Sequence, residues 1–99
     1  MLDLKVIKGR LNLYKDSFLQ YKIGDGNIIY AELNNEGTLI LLTDDSGNVE
    51  LRDITGKFIR VIGNGNIHIA KWLGNHAALV NKKGITEYRH ISNVNSLVL

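Results

Sequence analysis

The sequence predicts an all-β fold, an antiparallel meander of repeated units. Residues 23–31 return as residues 62–70, about 39 residues later, with six of nine positions identical. Residues 47–54 return as residues 84–91, with Gly, Glu, Arg and Ile retained. Turns rich in Gly, Asn and Asp recur every 8–12 residues, and no segment shows helical periodicity over ten positions. Such a repeat predicts stacked β units that cannot bury their own faces alone.

The repeats divide one small domain of 99 residues into three units. Their approximate boundaries are 2–23 for a partial first unit, 24–62 for a middle unit and 63–99 for a last unit. The partial unit is predicted to hold three strands, because residues 9–15 align with 47–53 and residues 18–23 align with 58–62. No first strand can be found for this unit in the sequence.

The two full units are each predicted to hold four strands. Residues 39–42 and 77–80 are continuous apolar runs, as expected for strands covered on both sides, whereas residues 48–52 alternate polar and apolar. The predicted strands of the middle unit are 28–33, 38–43, 48–53 and 57–62. Those of the last unit are 67–73, 76–81, 85–91 and 96–99.

The middle unit resembles a WD-type β-propeller blade. Ala31 ends an inner strand, a polar turn with Gly37 precedes the apolar residues 39–42, and Asp-Ser-Gly at 45–47 precedes an alternating strand that closes with Arg52-Asp53. The family usually closes that strand with Trp-Asp, so the acid is kept and the tryptophan is not. The resemblance covers about 75 of the 99 residues and implies propeller-like four-stranded repeats.

The resemblance also implies assembly. Propellers typically close with about 4–8 blades, whereas this chain supplies two and part of a third. We therefore expect an uncovered apolar face at each end, on the order of several hundred Å², and self-association into a homo-oligomer to cover it. Small bacterial proteins that build propellers from several short chains resemble this arrangement. A small β-barrel or β-sandwich, or a portion of a longer propeller, remains as an alternative.

Composition narrows the function classes. The chain has no cysteine, which removes disulfides and thiolate chemistry and fits a reducing compartment, so we expect a cytoplasmic protein. Its apolar runs are far shorter than the roughly 20 residues of a membrane helix, and a net charge of +2 is too small to indicate nucleic-acid binding. We expect neither a membrane nor a nucleic acid among its partners.

Charge is unevenly distributed along the chain. Residues 1–22 carry +3, residues 23–56 carry −6 and residues 57–99 carry +5. One interpretation is a drift in the composition of solvated loops. The other is that the acidic middle unit meets a basic unit, within the chain or on a neighbouring copy.

No constellation of residues indicates catalysis, a metal or a cofactor. His68, His76 and His90 lack ligand spacing, and no serine stands in a nucleophile elbow. Asp44 and Asp45 precede Ser46-Gly47, where carboxylates could bind calcium, but turn formation is the better explanation. We therefore expect a non-enzymatic binding or scaffolding module whose partners are itself and another protein.

The predicted binding residues lie mainly in turns. In propellers, the connections between units and the turns between second and third strands gather on one rim, so the resemblance implies a shared contact surface. An alternative function is carbohydrate binding through Trp72 and nearby tyrosines, since aromatic rings stack on sugars. The candidate binding residues are Asp25, Asn27, Asp44, Asp45, Asn64, Asn66, Trp72, Lys82 and Lys83.

Overall fold

The computed structural model describes residues 1–91 as ten antiparallel strands in three separate sheets. The predicted all-β meander is confirmed, and each predicted strand between residues 28 and 91 agrees with an observed one to within one residue at either end. The predicted strand at 96–99 lies outside the described residues. The strands are β1 (Leu2–Ile7), β2 (Arg10–Lys15), β3 (Phe18–Ile23), β4 (Ile28–Leu33), β5 (Leu39–Asp44), β6 (Val49–Asp53), β7 (Phe58–Gly63), β8 (Ile67–Leu73), β9 (His76–Asn81) and β10 (Thr86–His90).

Each sheet is a meander in which consecutive strands are neighbours. The first sheet has the order β1-β2-β3, the middle sheet β4-β5-β6-β7, and the last sheet β8-β9-β10. These are three open sheets, which is not the arrangement of a closed barrel. Among the described residues, none forms a helix long and apolar enough to cross a bilayer.

The middle sheet is covered on both faces, as the continuous apolar run in β5 predicts. Ile40 and Leu42 point into a cluster shared with the first sheet, which includes Leu11. Leu39 and Leu41 point the other way, into a cluster shared with the last sheet. Alternate residues of one strand therefore hold two interfaces together. We call these the first junction, between the first and middle sheets, and the second junction, between the middle and last sheets.

The similar run in β9 is covered on one side only within residues 1–91. Ala77 and Leu79 are fully buried in the second junction, but Ala78 and Val80 are half-buried. The expectation that both faces of this strand are covered is therefore wrong for the described part of the chain. On the partly uncovered face of β9, the residues that continue the apolar run are Ala78 and Val80.

The outer face of the first sheet carries charged residues at its centre. Strand register matches Asp3 and Lys5 to Ile40 and Leu42, which face the preceding sheet in the middle unit. Both charged side chains are exposed, and Lys5 Nζ lies 5.5 Å from the centre of the Tyr14 ring. The expected apolar face at this end is therefore interrupted at its centre, where charged residues replace the apolar pair that the repeat pattern requires, while Ile7 and Leu19 remain as exposed apolar side chains on the same face. A polar outer face is typical of a capping repeat.

The outer face of the last sheet is also less apolar than the corresponding middle face. Leu41 and Leu51 pair across β5 and β6, and the matched pair across β9 and β10 is Ala78 and Tyr88. Tyr88 is exposed, and Ala78 offers little apolar area. Burial of this face would therefore stabilise an assembly less than burial of a face like that of the middle sheet.

Both junctions are closed by the same backbone hydrogen bond. Ile28 N–H donates to Gly9 O at 2.8 Å in the first junction, and Ile67 N–H donates to Gly47 O at 3.0 Å in the second. Each bond joins a turn of one sheet to the first residue of the next strand. The repeat is therefore present in the structure as well as in the sequence, since equivalent residues make equivalent contacts.

These contacts require glycine. Gly9 and Gly47 have φ values of 75° and 83°, which disfavour other residues. A Cβ atom at Gly9 would lie 2.1 Å from Gly26 O, and one at Gly47 would lie 3.0 Å from Gly65 C. Neither junction could close around a side chain at these positions without movement of the backbone.

Candidate interaction surface

Connecting segments of all three sheets meet along one edge of the stack, and we call this surface the charged rim. Asp45 N–H donates to Asn27 O at 2.9 Å, and Lys82 N–H donates to Asn66 O at 3.0 Å. These matched bonds fasten a hairpin turn to the connection between two sheets in both the middle and the last unit. The rim comprises residues 8–9, 24–27, 44–48, 63–66 and 81–85.

The rim brings together every predicted binding residue except Trp72. The grouping arises because odd-numbered connections of a meander lie at one end of the strands and even-numbered connections at the other, and each unit here keeps that order. The predicted residues on the rim are Asp25, Asn27, Asp44, Asp45, Asn64, Asn66, Lys82 and Lys83.

Residues 44–48 form the acidic turn. Asp44 Oδ1 accepts hydrogen bonds from the backbone N–H groups of Ser46 and Asn48, both at 2.9 Å. This carboxylate therefore shapes the turn, as an aspartate in such a position is expected to do. Asp45 is exposed, and so is Asp25 on the adjacent connection. These two carboxylates are the ones free to meet a partner.

Residues 81–85 form the basic turn, which has the same backbone design with opposite charge. Asn81 Oδ1 accepts from the N–H groups of Lys83 at 2.9 Å and Ile85 at 3.0 Å, as Asp44 does in the acidic turn. Lys82 and Lys83 are exposed. Because the shapes match, the difference between the turns is their charge.

The acidic and basic turns are neighbours on the rim. Ile67 N–H bonds to Gly47 in the acidic turn, while the carbonyl of the preceding residue, Asn66, accepts from Lys82 in the basic turn. Within residues 1–91 the ion pairs involve the N-terminus with Asp16, and the two pairs Glu50–Arg52 and Glu87–Arg89. None of them joins the two turns, so the rim presents adjacent patches of opposite charge to solvent.

Two equivalent pockets lie beneath the rim. The middle-unit pocket has a volume of about 90 Å³ and includes Asp25 and Asp44 in its lining. The last-unit pocket has a volume of about 360 Å³, and Asn64 and Asn81 stand at the matched positions. Replacement of carboxylates by amides makes the larger pocket neutral at positions where the smaller one is acidic.

A Glu-x-Arg pair lines each pocket and was not among the predicted binding residues. Arg52 Nε donates to Glu50 at 3.0 Å, and Arg89 Nε donates to Glu87 at 2.7 Å. Arg89 also donates to Ile62 O at 2.6 Å, which ties the last sheet to the end of β7. Identity of both residues at matched repeat positions, two apart on one strand face, is the sequence signal that could have identified them.

Trp72 lies toward the other end of the strands, at the second junction. Its indole N–H donates to Glu32 O at 3.0 Å, and its backbone N–H donates to Glu32 Oε1 at 2.7 Å. The ring packs against the apolar cluster of the junction. These contacts place Trp72 in a structural role, with the indole donor already satisfied.

Tyr30 completes the Glu32 cluster. Its hydroxyl donates to Glu32 Oε2 at 2.9 Å, so the two carboxylate oxygens serve two different donors. Burial, followed by the hydrogen bond to Glu32, raises the pKa of Tyr30 above its ordinary value. The cluster joins β4 to β8 through polar contacts beside the apolar core.

Two of the three histidines, His76 and His90, are neighbours. The rings of His76 and His90 meet edge to face with their centres 5.0 Å apart, and Asn75 Nδ2 lies 3.2 Å from His90 Nε2. Residues 1–91 contain no group of three or more His, Cys, Asp or Glu side chains placed to hold a metal ion. No protein-family model matches the chain, and no curated protein matches it.

Proposed function

We propose that this chain is a non-enzymatic binding module that self-associates through the charged rim, the acidic turn of one copy meeting the basic turn of another. The observation that carries this proposal is the reversal of charge between Asp45 and Lys82. These exposed residues follow matched turn-forming residues, and their backbones make matched hydrogen bonds. Opposite charges on similarly shaped neighbouring turns create a self-complementary surface.

Two-fold symmetry satisfies both turns at once. In an isologous dimer, a residue that contacts a second residue on the partner is matched by the reciprocal contact. An acidic turn opposite a basic turn therefore produces two attractive contacts per dimer. Exposed ion pairs are individually worth about 0–1 kcal/mol, so these charges set partner choice and orientation while burial of the rim supplies affinity.

The proposal extends to the architecture of the assembly. We interpret the three sheets as propeller-like blades of the WD type, supported by their stacking through matched junctions. Association through the outer sheet faces has less support than association through the rim, because Asp3, Lys5 and Tyr88 stand on those faces. The cytoplasm is the proposed location, supported by the lack of cysteine.

A charge-swap experiment tests the self-association. Asp45→Lys and Lys82→Glu should each weaken association, since each places like charges opposite one another. The double variant Asp45→Lys/Lys82→Glu should restore it, because the pair is again complementary. Asp44 stays unchanged, as its carboxylate shapes the turn. The mass of each variant is measured by light scattering and sedimentation velocity at low and high ionic strength.

Glu36→Lys provides the matched control, because Glu36 is an exposed acid in the turn at the opposite end of β4. This control should associate as the unchanged chain does. A mass of 11.1 kDa at every concentration would overturn the proposal. A mass above that value which neither single variant reduces would locate the interface elsewhere.

A further inference from the structure

In the described part of the chain, residues 1–91, the first sheet lacks a strand that the other two sheets possess. Leu4 pairs with Leu13 as Leu41 pairs with Leu51, so β1 corresponds to β5. In the middle sheet β4 lies along the far edge of β5, and in the last sheet β8 lies along the far edge of β9. Within residues 1–91, the corresponding edge of β1 has no strand.

The burial of one residue on β4 reflects the missing strand beside β1. Ala31 pairs with Leu42 as Ala70 pairs with Leu79, so the two alanines are equivalent. Ala70 is fully buried, because β4 packs against β8 on that side. Ala31 is only half-buried, since none of the described strands of the first sheet covers β4 in the same way.

A groove therefore runs beside the open edge of β1. Its floor is formed by Ala31 and Leu33 of β4 together with Leu4 of β1, all partly buried and all packed against the first-junction cluster. Val6 at the end of β1 is 38% exposed, whereas the matched Thr43 is fully buried. The groove combines an apolar floor with one row of backbone donors and acceptors.

We propose that this groove takes an extended acidic strand donated by a partner protein, which pairs with β1 and completes the first sheet. Addition of a strand to an exposed sheet edge is a general mode of peptide recognition, in which backbone hydrogen bonds supply affinity and alternate side chains supply specificity. The site is separate from the charged rim, which involves turns instead of a strand edge.

The second junction indicates which side chain the strand carries. There the inner strand β4 places Glu32 so that its carboxylate accepts the backbone N–H of Trp72 at 2.7 Å. Register matches Trp72 to Leu33, which borders the groove. A strand in the groove would bring an acid at the position equivalent to Glu32 toward Leu33 N–H.

Charge favours the same chemistry. Residues 1–23, which include all three strands of the first sheet, carry five basic and two acidic side chains. An acidic donor strand would be attracted to this sheet, and a basic one repelled. The proposed occupant is therefore an extended segment with small apolar residues on one side and a carboxylate near its end.

A peptide copy of residues 26–33 is the probe, because this segment contains the strand that fills the equivalent position in the middle sheet. Its affinity for the full chain is measured by fluorescence anisotropy, beside a control peptide carrying Glu32→Lys. The acidic peptide should bind saturably, and the lysine peptide at least about tenfold more weakly, which corresponds to about 1.4 kcal/mol. Hydrogen exchange should show added protection of the β1 amides with the acidic peptide.

A second measurement does not depend on the affinity of a free peptide. Each peptide is fused to the N-terminus through a flexible linker, which raises its effective concentration to the millimolar range. The fusion with the acid should unfold at a higher urea concentration than the lysine fusion. The proposal would be overturned if the two fusions unfolded at the same urea concentration and the acidic peptide left the hydrogen exchange of the β1 amides unchanged. Protection of β1 that rises with protein concentration and without peptide would assign the groove to a second copy and overturn it as well.

Discussion

The two junctions between the sheets share their backbone contacts and differ in what completes them. Each is closed by a bond from an isoleucine N–H to a glycine carbonyl, and each contains an apolar cluster. The second junction adds Glu32, which holds both hydrogen-bond donors of Trp72. The first has no equivalent strand within the described residues. Backbone contacts therefore set how the sheets stack, whereas the first strand of the preceding four-stranded sheet, β4, determines how completely the second junction is buried.

The largest expected effect comes from glycine-to-alanine changes at the three matched turns. All three glycines have positive φ, but their surroundings differ. An added Cβ atom would clash strongly at Gly9 and moderately at Gly47, whereas at Gly84 it would meet no described atom within 4 Å. We expect losses in the free energy of unfolding of more than about 4 kcal/mol for Gly9→Ala and about 2–3 kcal/mol for Gly47→Ala. Gly84→Ala should lose about 1–2 kcal/mol from backbone strain alone.

Urea denaturation of the three variants measures these losses. Gly84→Ala is the internal control, because it shares the backbone conformation and lacks the close approach. Equal losses at all three positions would show that the contacts at the junctions contribute nothing beyond the turn itself.

A smaller effect is expected at the Glu32 cluster, which belongs to the second junction alone. Glu32→Ala would leave Trp72 N–H and the Tyr30 hydroxyl without their acceptor, and we expect a loss of about 1–3 kcal/mol in the free energy of unfolding. Glu32→Gln keeps one carbonyl oxygen and should lose less. The transition is followed by the fluorescence of Trp72, the sole tryptophan of the chain.

Glu36→Ala is the matched control for this change, since Glu36 is an exposed acid in the turn that follows β4. It should alter the free energy of unfolding by less than about 0.5 kcal/mol. A comparable loss in both variants would mean that the polar contacts of Glu32 do not stabilise the second junction.

The smallest expected effect is a pH dependence from Tyr30. Its pKa is raised in the folded chain, so the folded state holds the phenol proton more tightly than the unfolded state. The resulting stabilisation is complete below the unfolded pKa of about 10 and is lost as pH rises through the folded value. The unchanged chain should therefore lose stability more steeply than Tyr30→Phe in alkaline urea titrations. Parallel curves would contradict a raised pKa.

Local patterns predicted most of the secondary structure because strands and turns carry local signals. The alternation in residues 10–15 and the Gly-Asn turns each specify a short segment without reference to distant residues. The turn role of Asp44 was predicted for the same reason. The Glu-x-Arg pairs were visible as repeated residues, but nothing local indicated that Arg89 reaches Ile62.

The polar residues on the end faces were the main feature that the sequence repeat did not predict. The repeat predicts two apolar faces for every sheet, and the middle sheet has them. Asp3 and Lys5 depart from the pattern at an end where no sheet formed by residues 1–91 packs against them. Their meaning is recognisable only after the strand register matches them to Ile40 and Leu42.

The sequence by itself determined the fold class and the strand positions between residues 28 and 91, because alternation, turn chemistry and repetition act over a few neighbouring residues. Tertiary structure decided which turns share an edge of the stack and which polar groups meet across a junction. It also left one edge of β1 without a neighbouring strand among the described residues. Glu32 and Trp72 are 40 residues apart, and their contact depends on how two sheets stack. Such contacts depend on how whole sheets pack together, and no single residue determines that packing.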